Sequence, residues 1–122
     1  MKLHAAGPTG VNTITGYGEG YVAVNGERQE SSVIVLPERI VPWPVKDFSA
    51  LTPDDFAVFH ELKVDIVVLG TGPKQRFPHP RLTASLAQAR IGVEVMDVQA
   101  ACRTYNILVA EERKVAAALL MS

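Results

Sequence analysis

The sequence has one cysteine, no cluster of basic residues and no long hydrophobic run. Its single cysteine, Cys102, excludes an intramolecular disulfide and any zinc or redox site built from two cysteines. The formal net charge is −1 and the lysines and arginines are scattered, which is not the pattern of a nucleic-acid-binding surface. The apolar run 115–121 is far shorter than the roughly 20 residues that span a bilayer. We therefore expect a cytoplasmic protein that binds no nucleic acid and does not insert into a membrane.

Residue patterns typical of catalysis or metal binding are also missing. The three histidines, His4, His60 and His79, lie in unrelated segments and have no ligand-like spacing. No nucleophile has a nearby base, and no paired carboxylates converge. We predict no catalytic residue, no metal site and no cofactor. The sequence favours a non-enzymatic protein and leaves an enzyme as the alternative.

The composition is that of an ordinary globular domain. The 122 residues are 48% hydrophobic and 20% charged, which is enough apolar material for a conventional core. We predict one α/β domain over residues 1–122. Residues 1–13 are rich in glycine, proline, threonine and asparagine and are expected to form a loosely held arm.

The first half of the chain reads as short antiparallel strands. The β-type runs are 14–17, 21–24 and 32–36. The pair Asn25-Gly26 is a strong signal for a hairpin turn. Segment 37–45 contains three prolines and is predicted to be extended at a sheet edge, because proline donates no ladder hydrogen bond. Trp43, within it, either fills one end of the core or anchors a partner.

The second half alternates strands with helices. A helix is predicted over 52–62, with Thr52 as N-cap, Pro53 in the first turn and His60 on the surface. The further elements predicted are a strand at 64–69, a helix at 81–89, a strand at 91–96, a helix at 98–109 and a tail at 113–121. On local grounds the tail is either helix or strand. Glu94, inside an apolar strand, either faces an uncovered side of the sheet or is buried with a partner.

The helix at 98–109 has the clearest periodicity in the chain. One apolar stripe comprises Val98, Ala101, Cys102, Tyr105, Leu108 and Val109. The opposite face comprises Gln99, Arg103, Asn106 and Ala110. Cys102 therefore lies on the buried face, where a thiol behaves as a small hydrophobe and is a poor nucleophile. The helix at 81–89 has a narrower face of small residues, Leu82, Ser85, Leu86 and Ala89, that is expected to press closely on a sheet.

The candidate site follows the two predicted buried strands. If 64–69 and 91–96 are adjacent interior strands, their exits meet at a strand-exit rim, meaning residues 70–76 together with 97. There Gly70, Thr71 and Gly72 expose backbone N–H groups, which the nearby cations Lys74, Arg76 and Arg81 would complete as an anion-binding nest. Asp97, predicted to N-cap the next helix, and the outer-face residues Arg103 and Asn106 form either a solvated surface or one wall of the site. A plain strand-exit turn is the alternative to a ligand-binding loop.

Three stretches carry a family resemblance. They are Leu69-Gly70-Thr71-Gly72, the run from Gly92 to Asn106, and Arg113 with Val115–Leu119. In these the chain resembles, over nearly its whole length, a small single-domain family of unknown function related to mitochondrial respiratory complex I assembly factor 3 (adipogenesis-associated-protein-like domains). The resemblance implies a three-layer α/β domain with a mixed central sheet, helices on its faces and a tail strand antiparallel to its neighbours. Relatives often have glycine where Glu112 stands.

The resemblance implies no established reaction. For the mitochondrial members it implies a protein-binding role in the assembly of membrane complexes. Our leading hypothesis is a non-enzymatic interaction or assembly module that binds another protein, with a homo-oligomer as a further expectation. The alternative is a binder of, or an enzyme acting on, a small anionic ligand at the strand-exit rim.

Overall fold

The computed structural model describes residues 10–122. The predicted loosely held arm at 1–13 therefore falls mostly outside the described residues. The part that is described is tied to the rest of the fold at Asn12, whose backbone N–H donates to the carbonyl of Pro37 at 2.7 Å. The side-chain amide of Asn12 donates to the carbonyl of Leu36 at 2.9 Å.

Over these residues the chain forms eight strands and three helices of eight or more residues. The strands are β1 (Ile14–Gly18), β2 (Tyr21–Val24), β3 (Glu27–Gln29), β4 (Val33–Val35), β5 (Ile40–Pro42), β6 (Ile66–Thr71), β7 (Gly92–Met96) and β8 (Val115–Leu120). The helices are a 3₁₀ helix at Pro53–His60, α1 (Pro80–Gln88) and α2 (Val98–Ala110); a shorter 3₁₀ turn covers Phe48–Ala50. β1, β2 and β3 form an antiparallel sheet, and five strands form a mixed sheet in the order β5-β4-β8-β6-β7. The predicted α/β fold class is confirmed.

The five-stranded sheet is the middle of three layers. Along β8 the side chains alternate, so that Ala117 and Leu119 join the core beneath α2 and β2. Ala116 and Ala118 join the core beneath the 3₁₀ helix and α1. Every residue of β8 is buried, which is why this strand reads as a continuous apolar run.

The N-terminal hairpin turns where it was predicted. Asn25 and Gly26 have φ of 52° and 85° and join Val24 to Glu27 across a two-residue loop. The partner strand β3 was missed because Glu-Arg-Gln has no apolar alternation. The predicted run 32–36 contains β4, which leaves this small sheet and pairs with β8 in the central one.

Proline-rich segment 37–45 contains the edge strand β5, as predicted. Trp43 follows it and is 3% exposed, with its indole N–H donating to the carbonyl of Asp55 at 2.9 Å. Its ring lies edge-on to Phe56 with 5.8 Å between centroids. Trp43 thus fills the core, and the docking-anchor alternative is wrong.

The predicted helix at 52–62 is the 3₁₀ helix at Pro53–His60. Thr52 is its N-cap, and the carboxylate of Asp55 accepts from the backbone N–H of Thr52 at 2.8 Å. His60 is exposed, as predicted. The small-residue face of α1 packs less closely on the sheet than predicted, since Leu86 is buried but Ser85 and Ala89 are exposed.

The tail is a strand, but one part of its predicted pairing is wrong. β8 runs antiparallel to β4 and parallel to β6, whereas an antiparallel arrangement with both neighbours was expected. The reason lies in the connections. The chain passes from β6 through α1 to β7, and from β7 through α2 to β8. Each helical crossover brings the next strand back in the same direction, so β6, β7 and β8 are parallel.

β6 and β7 are adjacent and parallel, as predicted, with Val68 opposite Glu94. Their interior placement holds only for β6, because β7 is the outermost strand of the sheet. Glu94 is exposed, so it faces an uncovered side of the sheet and needs no buried partner.

Candidate functional site

Gly70 lies where α2 presses closest on the central sheet. A Cβ atom built on Gly70 would lie 3.0 Å from the Cβ of Ala101 and 3.1 Å from the Cα of Val98. The second contact is with backbone, which cannot rotate away. The close approach of helix and strand therefore favours glycine at position 70.

The hydroxyl of Thr71 is used inside the rim. Thr71 is fully buried, and its Oγ donates to the carbonyl of Lys74 at 2.6 Å. The same oxygen accepts from the backbone N–H of Arg76 at 3.0 Å. A side chain that holds both ends of the loop stabilises its conformation and has no free face toward solvent.

Gly72 turns the chain out of β6. Its φ of +85° lies in the region that favours glycine, and its carbonyl accepts from the N–H of Val98 at 2.8 Å. The rim is therefore bound directly to the first turn of α2.

The two cations of the rim have different surroundings. Lys74 is exposed. Arg76 is half-buried, its Nη2 donates to the carbonyl of Thr71 at 2.7 Å, and its guanidinium lies 4.7 Å from the ring centroid of Phe48. Among residues 10–122, the buried Nε of Arg76 finds no hydrogen-bond partner. Arg76 is thus a partly buried cation with one unsatisfied donor.

The polar trio on α2 is divided between two places. Asp97 caps the helix, since its Oδ1 accepts from the N–H of Ala100 at 2.9 Å, which confirms the predicted N-cap. The exposed Arg103 donates to the hydroxyl of Tyr17 at 3.3 Å. The side chain of Asn106 accepts from the N–H of Ile14 at 2.9 Å and donates to its carbonyl at 2.8 Å.

The side chain of Asn106 therefore makes the two hydrogen bonds to Ile14 that a neighbouring strand would make at the outer edge of β1. These bonds hold α2 against the three-stranded sheet. Helical periodicity placed this residue on the outer face, but it carries no information about a sheet packed alongside. The structure brings Gly70, Thr71, Gly72 and Asp97 together around the start of α2, while Arg103 and Asn106 contact β1. Ligand binding by these residues stays a prediction.

The buried face of α2 holds two titratable groups. Cys102 is 2% exposed, and burial raises the pKa of its thiol to about 12. Tyr105 is fully buried, burial raises the pKa of its phenol, and its hydroxyl donates to the carbonyl of Asn12 at 3.0 Å. Cys102 is thus a packing residue, as predicted.

Two structural features are absent from the described part of the chain. No group of three or more His, Cys, Asp or Glu side chains there is arranged to hold a metal ion. None of its helices combines the length and the hydropathy needed to cross a membrane.

A cavity of about 820 Å³ lies at the opposite end of the sheet from the rim. Its walls come from the amino ends of β6 and β8, the end of α2 and the turn between β4 and β5, and they include Leu36, Val64 and Val109. This volume is within the range of small-molecule sites, roughly 300–1,000 Å³. Charged residues also line it, namely Glu38, Lys63, Glu112, Arg113 and Lys114. No sequence motif marked this place.

Two residues at the cavity have left-handed backbone. Lys63 and Glu112 have φ of 57° and 62°. Glu112 follows the last turn of α2, where its N–H donates to the carbonyl of Val109 and the next N–H, of Arg113, donates to Leu108, both at 2.9 Å. Glu112 thus adopts the helix-terminating conformation for which glycine is better suited.

Comparison with known proteins gives the family. The family model described as "Protein of unknown function (DUF498/DUF598)" matches residues 14–120, which is nearly every described residue. The chain belongs to this family.

Among curated proteins, the chain is 35% identical over 109 residues to NADH dehydrogenase [ubiquinone] 1 alpha subcomplex assembly factor 3 of Mus musculus, which covers 88% of this chain and 59% of the mouse protein. The chain thus spans little more than half the length of that relative. It is 30% identical to an uncharacterised protein of Rhodobacter capsulatus, covering 98% of this chain and 93% of the other.

Solved structures show the same fold. A crystal structure of a protein from Bordetella parapertussis is 38% identical with a TM-score of 0.87, covering 92% of this chain and 97% of the other. An NMR structure from Xanthomonas campestris is 32% identical with a TM-score of 0.83, covering 99% of this chain and 92% of the other.

Proposed function

We propose that the chain is a non-enzymatic, protein-binding domain that acts in the cytoplasm as an assembly factor. The observation that carries this proposal is the 35% identity to a complex I assembly factor across 88% of the chain. At that level of identity the fold is shared, and the shared binding surface is the part that we propose, because a fold alone does not fix a function. The partner is another protein, or a second copy of the chain.

The geometry of the rim supports this proposal over small-ligand chemistry. The hydroxyl of Thr71 and the carboxylate of Asp97 are both engaged by backbone groups of the protein. Side chains that already have partners gain little by turning to a ligand, because each lost internal bond costs about as much as the new one contributes.

The proposal is tested by affinity purification of the tagged chain from native lysate, with light scattering of the purified chain alone. We expect either a protein that co-purifies in stoichiometric amount or a defined oligomer of the chain. A strictly monomeric chain that retains no stoichiometric protein contradicts the proposal. Resin carrying the tag without the chain provides the control for non-specific capture.

A second candidate is the binding of a small anion at the rim. One observation favours it: the buried Nε of Arg76 has no hydrogen-bond partner among the described residues, and the exposed Lys74 precedes it by two positions. An anion admitted by a small movement of the loop would satisfy that buried donor and gain a charge-assisted hydrogen bond.

The test is a titration with inorganic phosphate and citrate, following the amide resonances of Gly70, Thr71 and Gly72. Saturable shifts that Lys74→Gln weakens, and that Lys63→Gln at the cavity leaves unchanged, support the candidate. Unchanged resonances at millimolar concentrations of both anions remove it.

A further inference from the structure

The outer side of β7 carries backbone groups that no strand pairs with. β7 is the last strand of the five-stranded sheet in the described part of the chain and is bonded on one side to β6. The N–H of Gly92 donates to the carbonyl of Asp65 at 2.9 Å, so Gly92 faces β6. Backbone groups of a strand alternate between its two sides. The backbone N–H and C=O of Glu94 therefore also point toward β6. Those of Val93 and Val95 point to the open side.

Gln75 provides independent evidence for this direction. Its side-chain amide reaches across from the rim and donates to the carbonyl of Val95 at 3.0 Å, as only an outward-facing carbonyl allows. Within residues 10–122, this is the one hydrogen bond found on the open side of β7. The N–H and C=O of Val93 therefore remain available. Phe77, two residues after Gln75, is 73% exposed and is thus an apolar side chain in the loop that borders this edge.

The other sheet edges are protected. β5 carries Pro42, which has no N–H to offer. β3 has only three residues, and Arg28 is held over the ring of Tyr21 at 3.7 Å. The edge of β1 is satisfied at Ile14 by Asn106. On β7 the protection is weaker, because it consists of the single contact from Gln75 and the charge of Glu94. A charge repels some strands and attracts others, so this edge can select a partner.

We propose that β7 binds an extended segment of another protein as an added strand, with a basic residue opposite Glu94. This inference rests on the proposed protein-binding function and names the surface that performs it. Backbone hydrogen bonds to both groups of Val93 and to the N–H of Val95 supply affinity, and an added strand takes the place of the Gln75 amide at the carbonyl of Val95. The side chain opposite Glu94 supplies selectivity. Glu94 is exposed, and among the described residues the one ion pair joins Arg28 and Glu30, so its charge is free for a partner.

The charge of Glu94 also argues against a second copy of the chain. An antiparallel pair of β7 strands that uses the backbone groups of both Val93 and Val95 places Glu94 directly opposite the same residue of the other copy. Such non-hydrogen-bonded positions bring the two Cα atoms within about 4.5 Å, where like charges repel. A strand with lysine or arginine at that position replaces repulsion with attraction.

The test uses two synthetic nine-residue peptides that alternate threonine and valine and differ only in a central lysine or glutamate. They are titrated into the isotope-labelled chain. We expect the lysine peptide to shift the amide resonances of Val93, Glu94 and Val95 and to slow hydrogen exchange at Val93 and Val95. The glutamate peptide should bind about three- to tenfold more weakly. Absence of shifts at β7 with both peptides overturns the inference.

Charge reversal gives the sharper result. Glu94→Lys should invert the order of the two peptides, whereas the matched control Glu111→Lys, at an exposed turn after α2, should leave it unchanged. An order that Glu94→Lys does not alter overturns the inference. Val93→Pro removes a donor that points outward while keeping the bonds to β6, and should abolish binding of both peptides. If that variant fails to fold, Glu94→Lys still decides.

The same variants distinguish a failure of this inference from a failure of the proposed protein-binding function. If the chain captures a stoichiometric protein from lysate and Glu94→Lys and Val93→Pro capture it equally well, β7 is not the surface and the proposed function stands. If the unchanged chain captures none and does not self-associate, the proposed function fails. Capture that is lost with both β7 variants and kept with Glu111→Lys supports both.

Discussion

The two ends of the central sheet differ in how tightly they are packed. At the strand-exit rim, α2 approaches so closely that a Cβ atom on Gly70 would lie only 3.0–3.1 Å from its neighbours. At the opposite end, about 820 Å³ of space lies between the amino ends of β6 and β8 and the end of α2. In this sequence Gly70 thus marks a close contact, whereas no sequence motif marks the open space at the other end of the sheet.

The difference follows from the direction of the helix. α2 starts against the sheet, with its first N–H bound to the carbonyl of Gly72, and its last turn contributes Val109 and Ala110 to the cavity wall. Substitutions that add atoms should therefore lower stability strongly at the rim and change it little at the cavity end.

The largest effect is expected from Gly70→Val at the rim. The added carbons meet the Cα of Val98, which cannot rotate away, so the free energy of unfolding should fall by about 3 kcal/mol or more. Urea unfolding measures it. In the matched control Gly16→Ala the new Cβ would meet Ala23 at an ordinary 3.9 Å, and a loss of similar size there would contradict the packing argument.

Thr71→Val should have the next largest effect. The change keeps the shape but leaves the buried N–H of Arg76 without its acceptor, which costs about 2 kcal/mol. Urea unfolding and the amide exchange rate of Arg76 together give the measurement. An unchanged exchange rate would show that the hydroxyl does not hold the loop.

At the cavity end, Glu112→Gly should stabilise the protein. Left-handed backbone costs a non-glycine residue of the order of 1 kcal/mol, and glycine removes that cost. Thermal unfolding should show a higher Tm. The neighbouring control Glu111→Gly has a φ of −88° and should give no gain, and equal gains at both positions would refute the conformational explanation.

Ala110→Leu, also at the cavity end, should have the smallest effect. Ala110 is exposed and borders the cavity, so the larger side chain has room and stability should change by no more than about 0.5 kcal/mol. A loss above 1 kcal/mol in urea unfolding would mean that this end is packed as tightly as the rim.

Local signals predicted most of the fold. Asn25-Gly26, the Thr52-Pro53 start and the stripe on α2 each depend on neighbouring residues, and each has its predicted structure. β3 was missed because its three residues are polar and are held in place by the hairpin alone.

Long-range pairing was the part that local signals left undetermined. The direction of β8 relative to β6 depends on two helical crossovers, and the role of Asn106 depends on a strand more than ninety positions earlier in the chain. At the rim, the residues were identified but their use was not, because Thr71 and Asp97 have polar side chains that serve a ligand or their own backbone equally well.

The position of β8 has a consequence for biosynthesis. β8 is the last of the eight described strands to be made, yet it separates β4 from β6 at the centre of the sheet. On the ribosome, the pair β4–β5 and the pair β6–β7 are therefore not joined until β8 is made. Until then, the apolar strands β4 and β6 each have an unpaired edge. The sheet closes only after residues 115–120 emerge, so nascent chains that stall before them are the ones a chaperone must shield.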